Sequence, residues 1–297
     1  MIFSSIIGNE ENKEILQQII KSGNIGHSYM FIGAPGIGKK QFAKEFAKAI
    51  LCESDSKPCG NCKSCLEFEN ENNPDFYYVG LEENSIKIDT IRKMQQKVQE
   101  LPIVSNKKVY IIDDSEFMTK EAQNCLLKTL EEPPEFVTII LITANENMIL
   151  NTIKSRCLKI YFKNIPDSIV KEYIKDNYGI ILSENLIKLS NGSISNAIKI
   201  NDQKEDYEKL NMCFSNIEKY DLIDAIRNLE ILYKAKDNIL NMLDYINVLL
   251  FENVKRNIKY VNYIKCVEKT KQKIRKNCNY DMCIDYLIFS IWEDRFE

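Results

Sequence analysis

Three groups of residues carry chemistry by their types and spacing. The first is Gly33-Ala34-Pro35-Gly36-Ile37-Gly38-Lys39, a glycine-rich run between a β-rich stretch and a helical pattern. In a phosphate-binding loop the glycines turn backbone N–H groups toward phosphate oxygens, and the lysine reaches the terminal phosphates. The full signature continues with Ser or Thr, whose hydroxyl holds Mg²⁺. Here that position is Lys40, a cation where a cation ligand belongs. A tight strand-to-helix turn that binds nothing is the competing reading. Descent from a nucleotide-binding loop is expected, while present-day binding of ATP and Mg²⁺ stays open at this stage.

The second group closes the apolar run Val109-Tyr110-Ile111-Ile112 with Asp113 and Asp114. In ATPases of this type the first acid binds Mg²⁺ through water and a following Glu orients the attacking water. Asp114 is one methylene shorter than Glu, and a misplacement of about 1 Å costs on the order of a hundredfold in rate. The alternative is that both acids cap the strand and the turn after it. The third group is Cys52, Cys59, Cys62 and Cys65, spaced C-x6-C-x2-C-x2-C, with Pro58 and Gly60 shaping the turn between them. Four thiolates suit a closed tetrahedral Zn²⁺ site that supplies folding energy and no chemistry. A redox cluster or a packing stripe along one helix face is the other reading. Cys125, Cys157, Cys213, Cys266, Cys278 and Cys283 lack ligand spacing and read as small hydrophobes. His27, the single histidine, has no evident catalytic or metal partner and reads as structural.

These groups need a scaffold. Tyr29–Ile32, Val109–Ile112 and Val137–Thr143 are short, continuously apolar runs of the kind buried in a parallel sheet. Phe42, Phe46 and Ile50 recur at helical spacing after the glycine-rich loop; Ala122, Leu126, Leu127 and Leu130 do so before Pro133-Pro134 stops the helix. Strands alternating with helices predict an α/β layer with both sheet faces covered. Past Asn164 the β signal fades. Ile165-Pro166-Asp167 reads as a turn that starts helices, Asn191-Gly192 as a break, and Leu222 to Leu232 and Ile239 to Leu250 as helical. Boundaries are expected near 163 and 205.

Composition narrows the function classes. The chain has 297 residues, enough for two or three modest domains, and a net charge of −3 from 43 acidic and 40 basic side chains. That balance argues against a whole-molecule electrostatic grip on nucleic acid. The N-terminal residues lack a secretory pattern and no run of eighteen apolar residues occurs, so a cytoplasmic protein with reduced cysteines and no membrane partner is expected.

The stretch Ala122-Gln123-Asn124-Cys125-Leu126-Leu127-Lys128-Thr129-Leu130-Glu131-Glu132-Pro133-Pro134 resembles a signature of bacterial clamp-loader AAA+ subunits. So do Ser155-Arg156-Cys157 after a strand ending in Thr143-Ala144-Asn145, the cysteine group inserted after the P-loop helix, and His27-Ser28-Tyr29-Met30-Phe31 ahead of the loop. The resemblance implies a P-loop AAA+ α/β domain at 1–163 with a four-cysteine zinc module at 52–65. A small helical lid at 164–205 and an all-α collar at 206–297, which in the family gathers subunits into an open ring, follow. It also implies that Arg156, flanked by Ser155 and Cys157, projects into a neighbour's ATP site, and that Asn145 is the first sensor position. Motor subunits of the gamma/tau type keep Ser or Thr after the P-loop lysine, Glu in the acidic motif and a sensor arginine in the lid. This chain has Lys40, Asp114 and Ser195. The three departures imply the delta-prime, or stator, type of DNA polymerase III subunit, with no ATPase activity of its own. Its partners would be motor and delta subunits in a hetero-pentamer, and through them the sliding clamp and primed DNA. Two rival readings are an active motor of the same family and a zinc-dependent DNA-binding module with a relic P-loop.

Overall fold

The computed structural model describes residues 2–4, 6–216, 220–254 and 257–293. It divides into two compact units, Met1–Ile169 and Val170–Glu297. The first runs α1 (Glu10–Ser22), β1 (Ser28–Ile32), α2 (Lys39–Leu51), α3 (Lys63–Glu69), β2 (Phe76–Val79), α4 (Ile88–Val98), β3 (Lys108–Ile112), α5 (Lys120–Glu131), β4 (Val137–Thr143), α6 (Asn151–Lys154) and β5 (Leu158–Tyr161). The strands form one parallel sheet in the order β2-β3-β4-β1-β5.

Side chains of a strand alternate between faces, and here both faces are buried. Tyr29 and Phe31 of β1, Val109 and Ile111 of β3, and Ile140 and Ile142 of β4 join one core with Phe42, Phe46 and Ile50 of α2. Their neighbours Met30, Ile32, Tyr110, Ile112, Ile139 and Leu141 join a second core with Met94 of α4 and Leu126 of α5. A strand that packs on two layers has no use for alternation, which is why these three runs are mostly apolar, with Thr138 and Thr143 the buried polar positions of β4. The expected α/β class is observed. The sequence reading passed over β2 and β5, the two edge strands. Leu158 and Tyr161 of β5 are more than half exposed, and such a strand lacks the continuous apolar run.

Helix boundaries follow the local chemistry. The Thr119 hydroxyl accepts from the Ala122 N–H and caps α5, which ends at Glu131 just before Pro133-Pro134. Proline-led Asp167 opens α7 (Asp167–Tyr178). Then come α8 (Glu184–Ser190), α9 (Ile194–Asp202), α10 (Lys204–Ser215), α11 (Leu222–Asn228), α12 (Glu230–Lys234), α13 (Ile239–Val254), α14 (Tyr260–Arg275) and α15 (Tyr280–Glu293). The break between α8 and α9 falls on Asn191 and Gly192, at φ 50° and 71°. Within the second unit α13 packs on α8, α10 and α14. The buried Lys271 ammonium is held by Asp244 at 2.6 Å and Glu268 at 2.8 Å.

One buried carboxylate organises the loop before β3. Asp75 is fully buried, and its oxygens accept from the backbone N–H groups of Ile103, Val104 and Ser105 at 2.7, 2.8 and 2.7 Å. Ser105 continues the network to Ser64 at 2.8 Å, and Asn73 ties Ser64 back at 2.9 Å to its carbonyl. Removing the carboxylate strands three donors. Asp75→Ala is expected to destabilise the first unit by about 3 kcal/mol and to speed amide exchange at 103–105. Unchanged exchange at those amides would refute the clamp.

Candidate nucleotide and metal sites

The glycine-rich loop leaves the carboxyl end of β1. A Cβ on Gly33 would stand 2.7 Å from the Phe162 carbonyl oxygen and 2.9 Å from Ile37 Cδ1, so only glycine fits there. Gly36 and Gly38 hold φ of 75° and 94°, the left-handed region, and Gly38 stands at the start of α2 with no side chain capping the first turn. Lys39 is buried to 7% exposure and donates from Nζ to the Gly33 and Ala34 carbonyls at 2.6 and 2.7 Å. Burial pulls its pKa down, against the opposing pull of Glu116, Asp113 and Asp114.

The acidic strand end lies beside it. Asp113 Oδ2 accepts a 2.6 Å hydrogen bond from the Tyr78 hydroxyl and stands 3.5 Å from Lys40 Nζ, which in turn donates to the Tyr78 oxygen at 2.6 Å. Asp113 Oδ1 accepts from the Asp114 N–H at 3.0 Å. Asp114 sits at φ 49°, and burial, with Asp113 and Glu116 nearby, raises its carboxyl above the usual range. Glu116 is buried; its Oε1 accepts from the Ala144 N–H at 2.9 Å while Oε2 has no hydrogen-bond partner. Sequence reasoning missed Tyr78 and Glu116. Tyr78 was hidden because its edge strand went unrecognised; Glu116 was legible as a third acid three residues after Asp113.

These residues do not fit Mg²⁺. The ion demands an octahedron of oxygens and waters, yet the expected hydroxyl is an ammonium and the expected carboxylate is already engaged by Lys40 and Tyr78. Asn145, next along the same end of the sheet, uses its Oδ1 to accept from the Asn147 N–H at 3.1 Å, capping the short turn Glu146–Met148.

Arg156 lies elsewhere. It precedes β5, whose Leu158 pairs in parallel with Tyr29 near the start of β1. The glycine-rich loop begins where β1 ends, so the two are separated by the length of a five-residue strand, roughly 16 Å at about 3.3 Å per residue. The guanidinium donates to the Thr152 carbonyl at 2.8 Å and pairs with Glu131 at 2.8 Å. Ser155 Oγ donates to the Thr152 carbonyl at 3.0 Å, and burial pushes the Cys157 thiol up to about 11. Ser195 is exposed on α9, in the second unit.

The cysteine group assembles. The Sγ atoms of Cys52, Cys59, Cys62 and Cys65 all lie within 4.8 Å of one another, and those of Cys52 and Cys62 are 3.9 Å apart. A tetrahedron with Zn–S bonds of about 2.3 Å has S···S edges of about 3.8 Å, so the donor set fits a four-thiolate metal. Backbone N–H groups point at the sulfurs: Cys59 to Cys52, Asn61 and Cys62 to Cys59, and Cys65 to Cys62, at 3.3 to 3.5 Å. Those donors bring the Cys59 thiol down to about 6, whereas burial raises Cys52 and Cys65. Of the other cysteines, Cys157, Cys213 and Cys283 are buried as small hydrophobes are, while Cys278 is exposed.

Residues 8–166 match the profile of the family described as DNA polymerase III, delta subunit. The tau/gamma subunit of DNA polymerase III from Haemophilus influenzae is 31% identical over 246 residues, 78% of this chain and 35% of that protein. From Bacillus subtilis, subunit tau is 38% identical over 165 residues (55% of this chain, 29% of that one), and subunit delta' is 32% identical over 194 (65% and 59%). The chain therefore spans about a third of the tau relatives' length and 59% of the delta' relative's. The fold is shared with a gamma subunit-related protein of Thermotoga maritima, at a TM-score of 0.51 and 18% identity, covering 94% of this chain and 99% of the other. No helix among the described residues is long and apolar enough to cross a membrane. The names attached to these relatives span several subunit types, and with the profile matching more than half of its length the chain belongs to the DNA polymerase III delta-subunit family, the clamp-loader family whose motifs it carries.

Proposed function

We propose that this chain is the delta-prime type of clamp-loader subunit: a stator that lends Arg156 to the ATP site of a neighbouring motor subunit and does not hydrolyse ATP itself. The observation that carries this reading is the separation of Arg156 from its own phosphate loop. Arg156 lies at the amino end of the parallel strands and the loop at the carboxyl end, so the guanidinium is beyond reach of any phosphate bound in the same chain. On the surface of a ring subunit it is available to the next one.

A guanidinium on a transferring phosphoryl group neutralises charge that builds in the transition state, worth on the order of 10³ to 10⁵ in rate. The Glu131 pair is compatible with that role. Its partners are 35% and 50% exposed, and such surface pairs contribute at most about 1 kcal/mol, so Arg156 can exchange a carboxylate for a phosphate. The chain's own site supports the silent half of the proposal through Lys40 and the engaged Asp113. Residues 164–205 would serve as lid and 206–297 as collar, joining motor and delta subunits in a pentamer that acts on the sliding clamp and primed DNA. Zn²⁺ is the ion assigned to the four cysteines, as a structural brace between the end of α2 and the start of α3.

Two measurements test this. In a reconstituted loader with clamp and primed DNA, Arg156→Ala is expected to lower ATP turnover at least tenfold while Lys39→Ala leaves it within twofold. The reverse pattern would make the subunit a motor. Metal analysis of the purified chain is expected to find one zinc. Chelation or Cys62→Ser should lower the melting temperature of the first unit by roughly 10 °C, and a metal-free chain of unchanged stability would remove zinc from the picture.

A further inference from the structure

The magnesium ligands of this P-loop are replaced by an arrangement of their own. Lys40 follows Lys39 on the first turn of α2, and its side chain is 52% exposed. Tyr78 and Asp113 fix its ammonium, at 2.6 and 3.5 Å, beside the carboxylate a hydrated Mg²⁺ would use. Tyr78 bridges the two, accepting from Lys40 and donating to Asp113. The phosphate-facing parts of the loop are kept: left-handed Gly36 and Gly38, an α2 amino terminus with no acidic residue and no side-chain cap on its first turn, and a buried Lys39. Glu116 Oε2, buried and without a partner, lies close enough to Lys39 to shift its titration and can accept from a water bound between it and a phosphate.

We propose that this loop binds the phosphate chain of a nucleotide without a divalent cation, the tethered Lys40 ammonium standing where Mg²⁺ stands in a motor subunit. The proposal rests on the reading of the chain's own site as hydrolytically silent and extends it. Lys40 supplies positive charge that cannot dissociate, while Asp113 is committed to Lys40 and Tyr78. With no ion to polarise the terminal phosphate and no Glu after Asp113, the bound nucleotide is held intact. Free ATP, rather than its magnesium complex, is the matching ligand, since an added Mg²⁺ would meet the ammonium at its binding position.

Titration calorimetry on the full chain tests this with ATP in EDTA, ATP in excess Mg²⁺, and inorganic tripolyphosphate in EDTA. The expected result is binding in EDTA that Mg²⁺ does not strengthen, and competition between tripolyphosphate and ATP. Lys40→Ala should weaken binding in EDTA by about tenfold, the loss of one charge-assisted contact. Lys40→Ser should restore a requirement for Mg²⁺, and Tyr78→Phe, which frees the ammonium from its fixed position, should weaken binding by about threefold. Absence of ATP binding in EDTA, binding at least about tenfold tighter with Mg²⁺, or failure of tripolyphosphate to compete would each overturn the proposal. None of these outcomes touches the Arg156 reading, which stands or falls on loader turnover alone.

Discussion

Every strand of the sheet points the same way, and the functional geography follows from that constraint. A parallel sheet collects all segments that leave strands at one end and all segments that enter them at the other. The glycine-rich loop, Asp113 and Asn145 leave β1, β3 and β4, so they share one end of the sheet. Arg156 enters β5, so it cannot join them. The placement holds because β1 sits between β4 and β5 and is buried on both faces. A slip of register by one residue would turn Tyr29 and Phe31 toward the wrong helix layer and dismantle both cores.

At the carboxyl end the chemistry is electrostatic. A motor site closes only around an exchangeable divalent ion, and its state therefore depends on what is bound. Here the carboxylate meets a lysine on the neighbouring helix and a phenol on the neighbouring strand, and the three groups satisfy one another without a guest. Such a site needs no ligand to be ordered.

Much of this was legible in the residues. The central strands gave themselves away, because burial on two faces makes most of their positions apolar; Lys108, Thr138 and Thr143 are the buried exceptions in β3 and β4. The glycine-rich loop and the cluster of four cysteines were legible through spacing alone. The edge strands were not: Phe76–Val79 and Leu158–Tyr161 are short and partly exposed, and their identity comes from hydrogen bonds to β3 and β1 that no local pattern encodes. Tyr78 was lost with its strand, and the Lys40–Tyr78–Asp113 set joins residues up to 73 positions apart. Lys40 was visible as a missing hydroxyl, yet its new partners were not.

Helix α5 links the two ends of the sheet. At its start Thr119 caps it and the Gln123 amide donates to the Met118 and Met148 carbonyls while its oxygen accepts from the Leu150 N–H. At its finish Glu131 meets Arg156. Between these anchors the helix works as a ruler whose divisions are whole residues, each adding about 1.5 Å and about 100° of rotation. Substitution along its length changes only what it touches. Insertion or deletion of a single residue would swing Glu131 away from the arginine or pull Gln123 out of its three bonds, so the exposed positions of this helix can change in letter while its length cannot.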